Sequence, residues 1–528
     1  MNVLTSAADA AIEQDLKQFL IILLVALSAA SLPKIFTALR ELPYTLLLLI
    51  VGLGLALMDV RLMHLSPGLI LMVFLPPLLF EAAWNMRWSA LKRELLPSGL
   101  FAVGGVLVSI AGIAIALNQM MNVPWTTALL VGACLSATDS ASVLGIFRQV
   151  GAGERLTTLL EGESLLNDGA AVVAFGVLLD LATDPKPFQL SSTMLEFFVV
   201  TGIGVSIGAL IGICVAVLTQ RYELAWVEQA LTLVTAYGTY LFVEELGGSG
   251  VIGVVTAGLV IGNFSVQPGV ELVKSSTVAE FWEFIVFLIN SLLFLLLGDQ
   301  IHVSKLINNL PTTSIAVLAV IVSRAIAVYG FSALSNWIGK TGISWQNQTI
   351  IWWTGLRGAV SIALAIGLPA LIPGRQEIIS ASFGAVWFTL LLQGLTTKFF
   401  LGKLDLLEDQ SLKQQYLELI ARRDALQQVT KYLMQTGSQL LIDPESHQTQ
   451  LETVQKQLQQ IQTEIEKLQE QSEVQAFSLG QYQEQLHAIE SQTYAKFVQA
   501  GLLKRSLTPM VKTSIDLPKS SNLETNVG

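Results

Sequence analysis

The sequence predicts an all-α polytopic membrane protein of about thirteen transmembrane helices, followed by a polar helical tail. Of its 528 residues, 52% are hydrophobic and only 13% charged, against about 25% charged in an ordinary soluble domain. The apolar residues gather into runs close to the ~20 residues that a helix needs to cross a hydrocarbon core. From about Asp405 the composition turns to Gln, Glu, Lys and Leu.

Taken in order, the apolar runs lie near 18–37, 43–58, 65–84, 96–117, 124–147, 158–182, 194–218, 225–243, 249–264, 278–298, 314–338, 348–372 and 378–401. The run at 249–264 is short, so twelve spans remain open beside thirteen. Residues 1–17 form a separate segment whose Asp9, Glu13 and Asp15 come before any basic residue. That is not the basic n-region of a cleaved signal peptide. Cys134 and Cys214 both fall within apolar runs and suggest neither a disulfide framework nor a metal site. The net charge of −10 comes with no large basic patch, which argues against a nucleic-acid partner.

Loop charges orient the spans, because Lys and Arg accumulate on the cytoplasmic side. One side carries Lys34, Arg40, Arg87, Lys92, Arg93, Arg148, Arg155, Arg221, Lys274, Lys340, Lys398 and Lys403. The other carries Arg61, Lys186, Lys305 and Arg375, with Lys17 near the start. This places the 403–528 tail in the cytoplasm and the N-terminus outside. Within the tail, Leu451, Val454, Leu458, Ile461, Ile465 and Leu468 alternate spacings of three and four, a heptad seam for a short coiled coil. Pro444 separates it from an amphipathic helix carrying Leu412, Tyr416, Leu419, Leu426 and Leu433. The last twenty or so residues read as disordered.

Function is legible in the polar residues inside the spans. An ionisable residue near the bilayer centre costs at least ~2.5 kcal/mol, so it faces the protein interior and marks a site by default. The third span, "FLPPLLFEAAW", kinks at Pro76 and Pro77 just before Glu81. The fifth, "CLSATDSASVLGIF", sets Thr138 and Asp139 among small residues, where other helices can approach and local unwinding is tolerated. The sixth, "EGESLLNDGAAVVAF", carries Glu161, Glu163, Asn167 and Asp168, and the twelfth puts Arg357 between Gly355 and Gly358. Each has a plainer reading too: Asp168 as a structural hydrogen-bond hub, Glu81 as a group reaching cavity water, Asn290 as glue between helices.

Helical spacing sorts the sixth span. Ser164 and Asp168 share one stripe, and Glu163 and Asn167 the next. A hard monovalent cation needs several oxygen ligands and a nearby negative charge. Asp168, Asp139, Ser164 and the Thr138 hydroxyl or carbonyl can supply them. Burial favours a protonated carboxyl whereas a neighbouring cation favours the carboxylate, so one group can hold either a proton or a metal ion. That competition is the minimal physics of antiport. Arg357 needs a partner, and Glu163 is the candidate for a structural ion pair. Arg324 is a second arginine within a span, for which the sequence names no partner.

Together, "SATDSASVLGIF", "EGESLLNDGAAVVAF" and "GLRGAVSIALAIGLP" resemble the cation:proton antiporter 1 family, which includes NhaP-type sodium/proton antiporters and animal sodium/proton exchangers. The resemblance covers roughly residues 15–402. It implies a secondary transporter and not an enzyme, with no cofactor, built of inverted repeats with broken, crossing helices. The core spans would lie at about 96–182 and 314–401, and the dimerisation spans at about 18–84 and 194–298. By the same resemblance, Asp168 is the essential ion-binding carboxylate and Asp139 acts on the ion directly or through water. Ser164, Thr138 and Glu81 help to hold Na⁺, Asn167 completes an Asn-Asp pair, and Glu163 pairs with Arg357. A homodimer in a cell (inner) membrane, exchanging Na⁺ and Li⁺ for H⁺ one for one in sodium and pH homeostasis, is the implied whole. K⁺/H⁺ or mixed exchange stays open, since no residue fixes ion size. An intramembrane aspartyl protease using Asp139 and Asp168, and a channel, are remote readings: the extra cation-type ligands do not suit a protease, and no filter-like carbonyl loop is present.

Overall fold

The computed structural model describes residues 2–36, 44–58, 66–139, 143–145, 147, 153–183, 190–221, 225–264, 276–300, 309–406, 410–436 and 444–470, with scattered positions up to 493. Among these, all regular structure is helical. Ser140, Ala141, the orienting charges Arg40, Arg61, Arg148, Lys186, Lys274 and Lys305, and the terminus read as disordered lie outside the described residues.

The first three helices are α1 (Asn2–Ile35), α2 (Tyr44–Leu57) and α3 (Leu69–Asn85). They are followed by α4 (Trp88–Met121), α5 (Trp125–Cys134), α6 (Glu154–Thr183) and α7 (Leu190–Arg221). Next come α8 (Ala225–Glu245), α9 (Gly250–Asn263), α10 (Ser276–Asp299) and α11 (Leu310–Gly339). The membrane unit closes with α12 (Trp345–Trp353), α13 (Ala359–Ile366) and α14 (Arg375–Lys403). Among the described residues, eleven of the thirteen apolar runs fall each on one of these helices. Six of them, α4, α6, α7, α10, α11 and α14, are long and apolar enough to cross a membrane unaided. Helix α1 starts well before the expected residue 18, because "SAADAAIEQDLKQF" is rich in strong helix formers.

Two runs are interrupted. The fifth stops as a helix at Cys134 and unwinds over Leu135–Asp139. The twelfth, read as one span, is in fact α12 and α13 separated by Thr354–Gly358. Gly355 and Gly358 remove the side chains that would crowd an unwound backbone, but the interruption itself is sustained by contacts to the other break.

Small residues let helices close on each other and so fix the position of Glu81. A Cβ on Gly258 of α9 would stand 2.8 Å from the Phe80 carbonyl of α3. Where α3 is expected to kink, it carries a π-helical turn, Leu69–Phe74, one residue before Pro76 and Pro77. Pro77 has no N–H to offer the Val73 carbonyl one turn earlier. The Tyr237 hydroxyl of α8 donates to that carbonyl instead, at 2.9 Å.

The tail is a separate compact unit. Its α15 (Gln410–Thr436) and α16 (Pro444–Gln469) pair with the start of one beside the end of the other. The Gln469 amide donates to the Tyr416 hydroxyl at 3.0 Å, and Tyr416, Ile465 and Val474 form a small core that Leu419, Ile461 and Leu468 join. The C-terminal half of the heptad seam thus packs on the chain's own preceding helix.

Candidate functional site

The two interruptions meet. The Asp139 N–H donates to the Leu356 carbonyl at 2.8 Å, and the Ser361 hydroxyl of α13 donates to the Ala137 carbonyl at 3.4 Å. Gly358 packs so closely that a Cβ there would stand 2.6 Å from Asp139 Oδ2. Each unwound segment meets backbone demands of the other, which is how peptide groups survive outside a helix at membrane depth.

Helix α6 lies against the first break, and its two stripes take different parts. Ser164 Oγ donates to the Thr138 carbonyl at 2.9 Å. From the other stripe, Asn167 Nδ2 donates to Thr138 Oγ1 at 3.0 Å, and that hydroxyl donates to Glu163 Oε1 at 3.5 Å. The Thr138 hydroxyl is therefore occupied in tying the break to α6.

The partner of Glu163 is not the expected one. Its carboxylate is held in a fork by Arg324 of α11, whose Nη1 donates to Oε1 and whose Nη2 donates to Oε2 at 2.9 Å. A further bond runs from Arg324 Nη2 to the Ile351 carbonyl at 3.3 Å. The expected Glu163–Arg357 pair is thus corrected to Glu163–Arg324. Arg357 is fully buried, donates from Nη1 to the Gly355 carbonyl at 3.1 Å, and leaves Nε and Nη2 without a hydrogen-bond partner. Its backbone N–H donates to Thr389 Oγ1 at 3.1 Å, so α14 also helps to hold the second break.

A small cavity opens at the crossing. Thr138, Asp139, Glu163, Ser164, Arg324 and Thr354 give it polar walls, and Val143 and Leu160 apolar ones. Of the residues named from sequence, Thr138, Asp139, Ser164 and Glu163 share this cavity. Asp168 sits one turn beyond Ser164, half-buried, within coulombic range of Asp139 and Glu163, and does not line it. Glu81 is half-buried on α3, accepts from Asn85 Nδ2 at 2.5 Å and also lies off the cavity wall. Tyr44 of α2, hydrogen-bonded with Asn290, lies within coulombic range of both Asp139 and Glu81. Sequence reasoning passed over Tyr44, Arg324 as the partner of Glu163, and Thr354. The signals were a lone phenol heading "YTLLLL" and a hydroxyl next to the glycine of "TGLRG".

Apolar helices enclosing two broken helices that cross at buried carboxylates and hydroxyls define the class: an integral, multi-pass secondary transporter. The family model described as sodium/hydrogen exchanger, transmembrane, matches residues 20–403. The chain belongs to the sodium/hydrogen exchanger family. It is similar to the Na⁺/H⁺ antiporter ApNhaP of Aphanothece halophytica, 48% identical over 98% of this chain and 100% of that one. It also resembles the low-affinity Na⁺/H⁺ antiporter NhaS1 of Synechocystis, 46% identical over 95% of this chain and 96% of that one. The solved sodium proton antiporter MjNhaP1 of Methanocaldococcus jannaschii shares its fold, with a TM-score of 0.59 and 21% identity over 74% of this chain and 98% of that one.

Proposed function

We propose that the chain exchanges Na⁺, and Li⁺ with it, for H⁺ across the cell (inner) membrane, one for one, with ion and proton competing for Asp168. The observation that carries this reading is the crossing itself, where Asp139, Ser164 and Thr138 surround one cavity with Asp168 one turn away. A carboxylate among hydroxyl and carbonyl oxygens suits a hard monovalent cation, and the family and the names of its relatives agree with Na⁺ as that cation.

The charge inventory supports the one-for-one ratio. The crossing counts three carboxylates, Asp139, Glu163 and Asp168, and two guanidiniums, Arg324 and Arg357. Three against two leaves one formal negative charge, which a single proton or a single Na⁺ neutralises. Asn167, holding Thr138 through its amide, adds none. A homodimer with its tail in the cytoplasm, serving sodium and pH homeostasis, completes the reading.

The test is proton release on Na⁺ addition to liposomes holding the full chain. Asp168→Asn is expected to abolish the signal, and Asp139→Asn to reduce it. Exchange at the wild-type rate by Asp168→Asn would refute the mechanism.

A further inference from the structure

The crossing holds an oxygen that the cation ligands given above do not include. We propose that the side-chain hydroxyl of Thr354, in the second break, is a direct ligand of the transported cation and helps to set ion affinity. The inference rests on the antiport reading and adds a ligand to its site.

A hydroxyl offers one hydrogen and two acceptor positions. Thr138 Oγ1 accepts from Asn167 Nδ2 and gives its hydrogen to Glu163, which leaves at most one position for a cation. Both Glu163 oxygens are engaged by Arg324, so that carboxylate is a poor ligand. The cavity therefore offers less to a cation than the sequence suggested.

Thr354 restores it. It is buried, lines the same cavity as Asp139 and Ser164, and gives its hydroxyl hydrogen to the Ile350 carbonyl at 2.7 Å. With that hydrogen committed, Thr354 Oγ1 faces any further partner only as an acceptor. Ser164 is in the same condition toward the cavity, its hydrogen committed to the Thr138 carbonyl. Two hydroxyls locked as acceptors beside a carboxylate favour a metal ion over a neutral hydrogen-bond acceptor. Thr354 also belongs to the second interrupted helix, so an ion bound there would be held by both breaks at once.

A proton on a carboxylate has no need of Thr354, so the test separates the two substrates. Thr354→Val keeps the branched shape and deletes only the oxygen. The Ile350 carbonyl stays satisfied by the Thr354 N–H, which also donates to it at 2.8 Å. In liposomes, Thr354→Val is expected to raise the apparent KM for Na⁺ roughly three- to tenfold. Maximal rate and the proton inhibition constant, obtained from Na⁺ titrations at several pH values, should stay at wild-type values. Thr354→Ser, which keeps the oxygen, should remain within about a factor of two of wild type. An unchanged KM in Thr354→Val, or equal shifts in the Val and Ser variants, overturns the proposal. So does a loss confined to maximal rate, the mark of a structural role. If Thr354→Val does not yield folded protein, Thr354→Ala and Thr354→Cys carry the same comparison against Thr354→Ser. Absence of Na⁺-driven proton release in the wild-type chain would instead refute the antiport reading on which the proposal rests.

Discussion

Glu163 shows what a buried charge requires at the scale of one residue. Its two oxygens are taken up by one guanidinium fork, and the Thr138 hydroxyl adds a third bond. Removing one partner of such a pair strands the other, at a cost of about 3–5 kcal/mol. Glu163→Gln is therefore expected to lower the thermal unfolding midpoint of the purified protein markedly, since it leaves Arg324 buried close to the equally buried Arg357. An unfolding midpoint equal to wild type would show that the pair contributes little. The sequence made Glu163 recognisable as a residue with a charge to satisfy, because its stripe on α6 differs from that of Asp168. It did not reveal which arginine would satisfy it. Arg324 and Arg357 are both intramembrane, and the choice depends on the packing of α11 against α6 and on the direction in which Arg357 leaves an unwound segment.

At the scale of elements, the local exceptions to helical bonding are compensated from a distance. The proline pair of α3 orphans the Val73 carbonyl, and Tyr237 of α8 satisfies it. Val73 is exposed on the surface of the fold, so losing that donor should cost about 0.5–1.5 kcal/mol, the net worth of an ordinary hydrogen bond. Tyr237→Phe is expected to destabilise the wild-type chain by that amount, and far less in a Pro77→Ala background, where an N–H is restored to the same carbonyl. Thermal unfolding of the four proteins measures the coupling; additive effects would exclude this account. Pro76 and Pro77 announced a break in regular helical bonding, whereas the donor that compensates it lies on a helix more than 150 residues away. The two breaks differ in the same way. The polar "SATDS" cluster announced that the fifth span tolerates unwinding, but the twelfth read as continuous. Its local sequence is apolar enough for a helix, and what stabilises the break is a set of bonds to residues far away in the chain.

At the scale of the whole molecule, the order of the apolar runs and their helical form were legible because hydrophobic length is a local property. Which spans meet, and that the crossing holds a cavity, were not, since those facts depend on contacts between distant spans. The formal charge of the crossing makes a prediction for the molecule as a unit. If one proton or one Na⁺ neutralises the site, exchange moves no net charge. Its rate in potassium-loaded liposomes should then be unchanged when valinomycin imposes a membrane potential of either sign. Rates that respond to the potential as net charge movement would exclude a one-for-one ratio. Asn167→Asp adds a negative charge beside Asp168 and is expected to bring in that response.

The bond from the Asp139 N–H to the Leu356 carbonyl joins the histories of two distant parts of the chain. In an uninterrupted helix, the Leu356 carbonyl would turn to the N–H four residues ahead, that of Val360, and Asp139 would lose its acceptor. A substitution that heals one interruption therefore unsettles the other. The two can be lost or kept only together, so they should be inherited as one trait although they lie more than 200 residues apart.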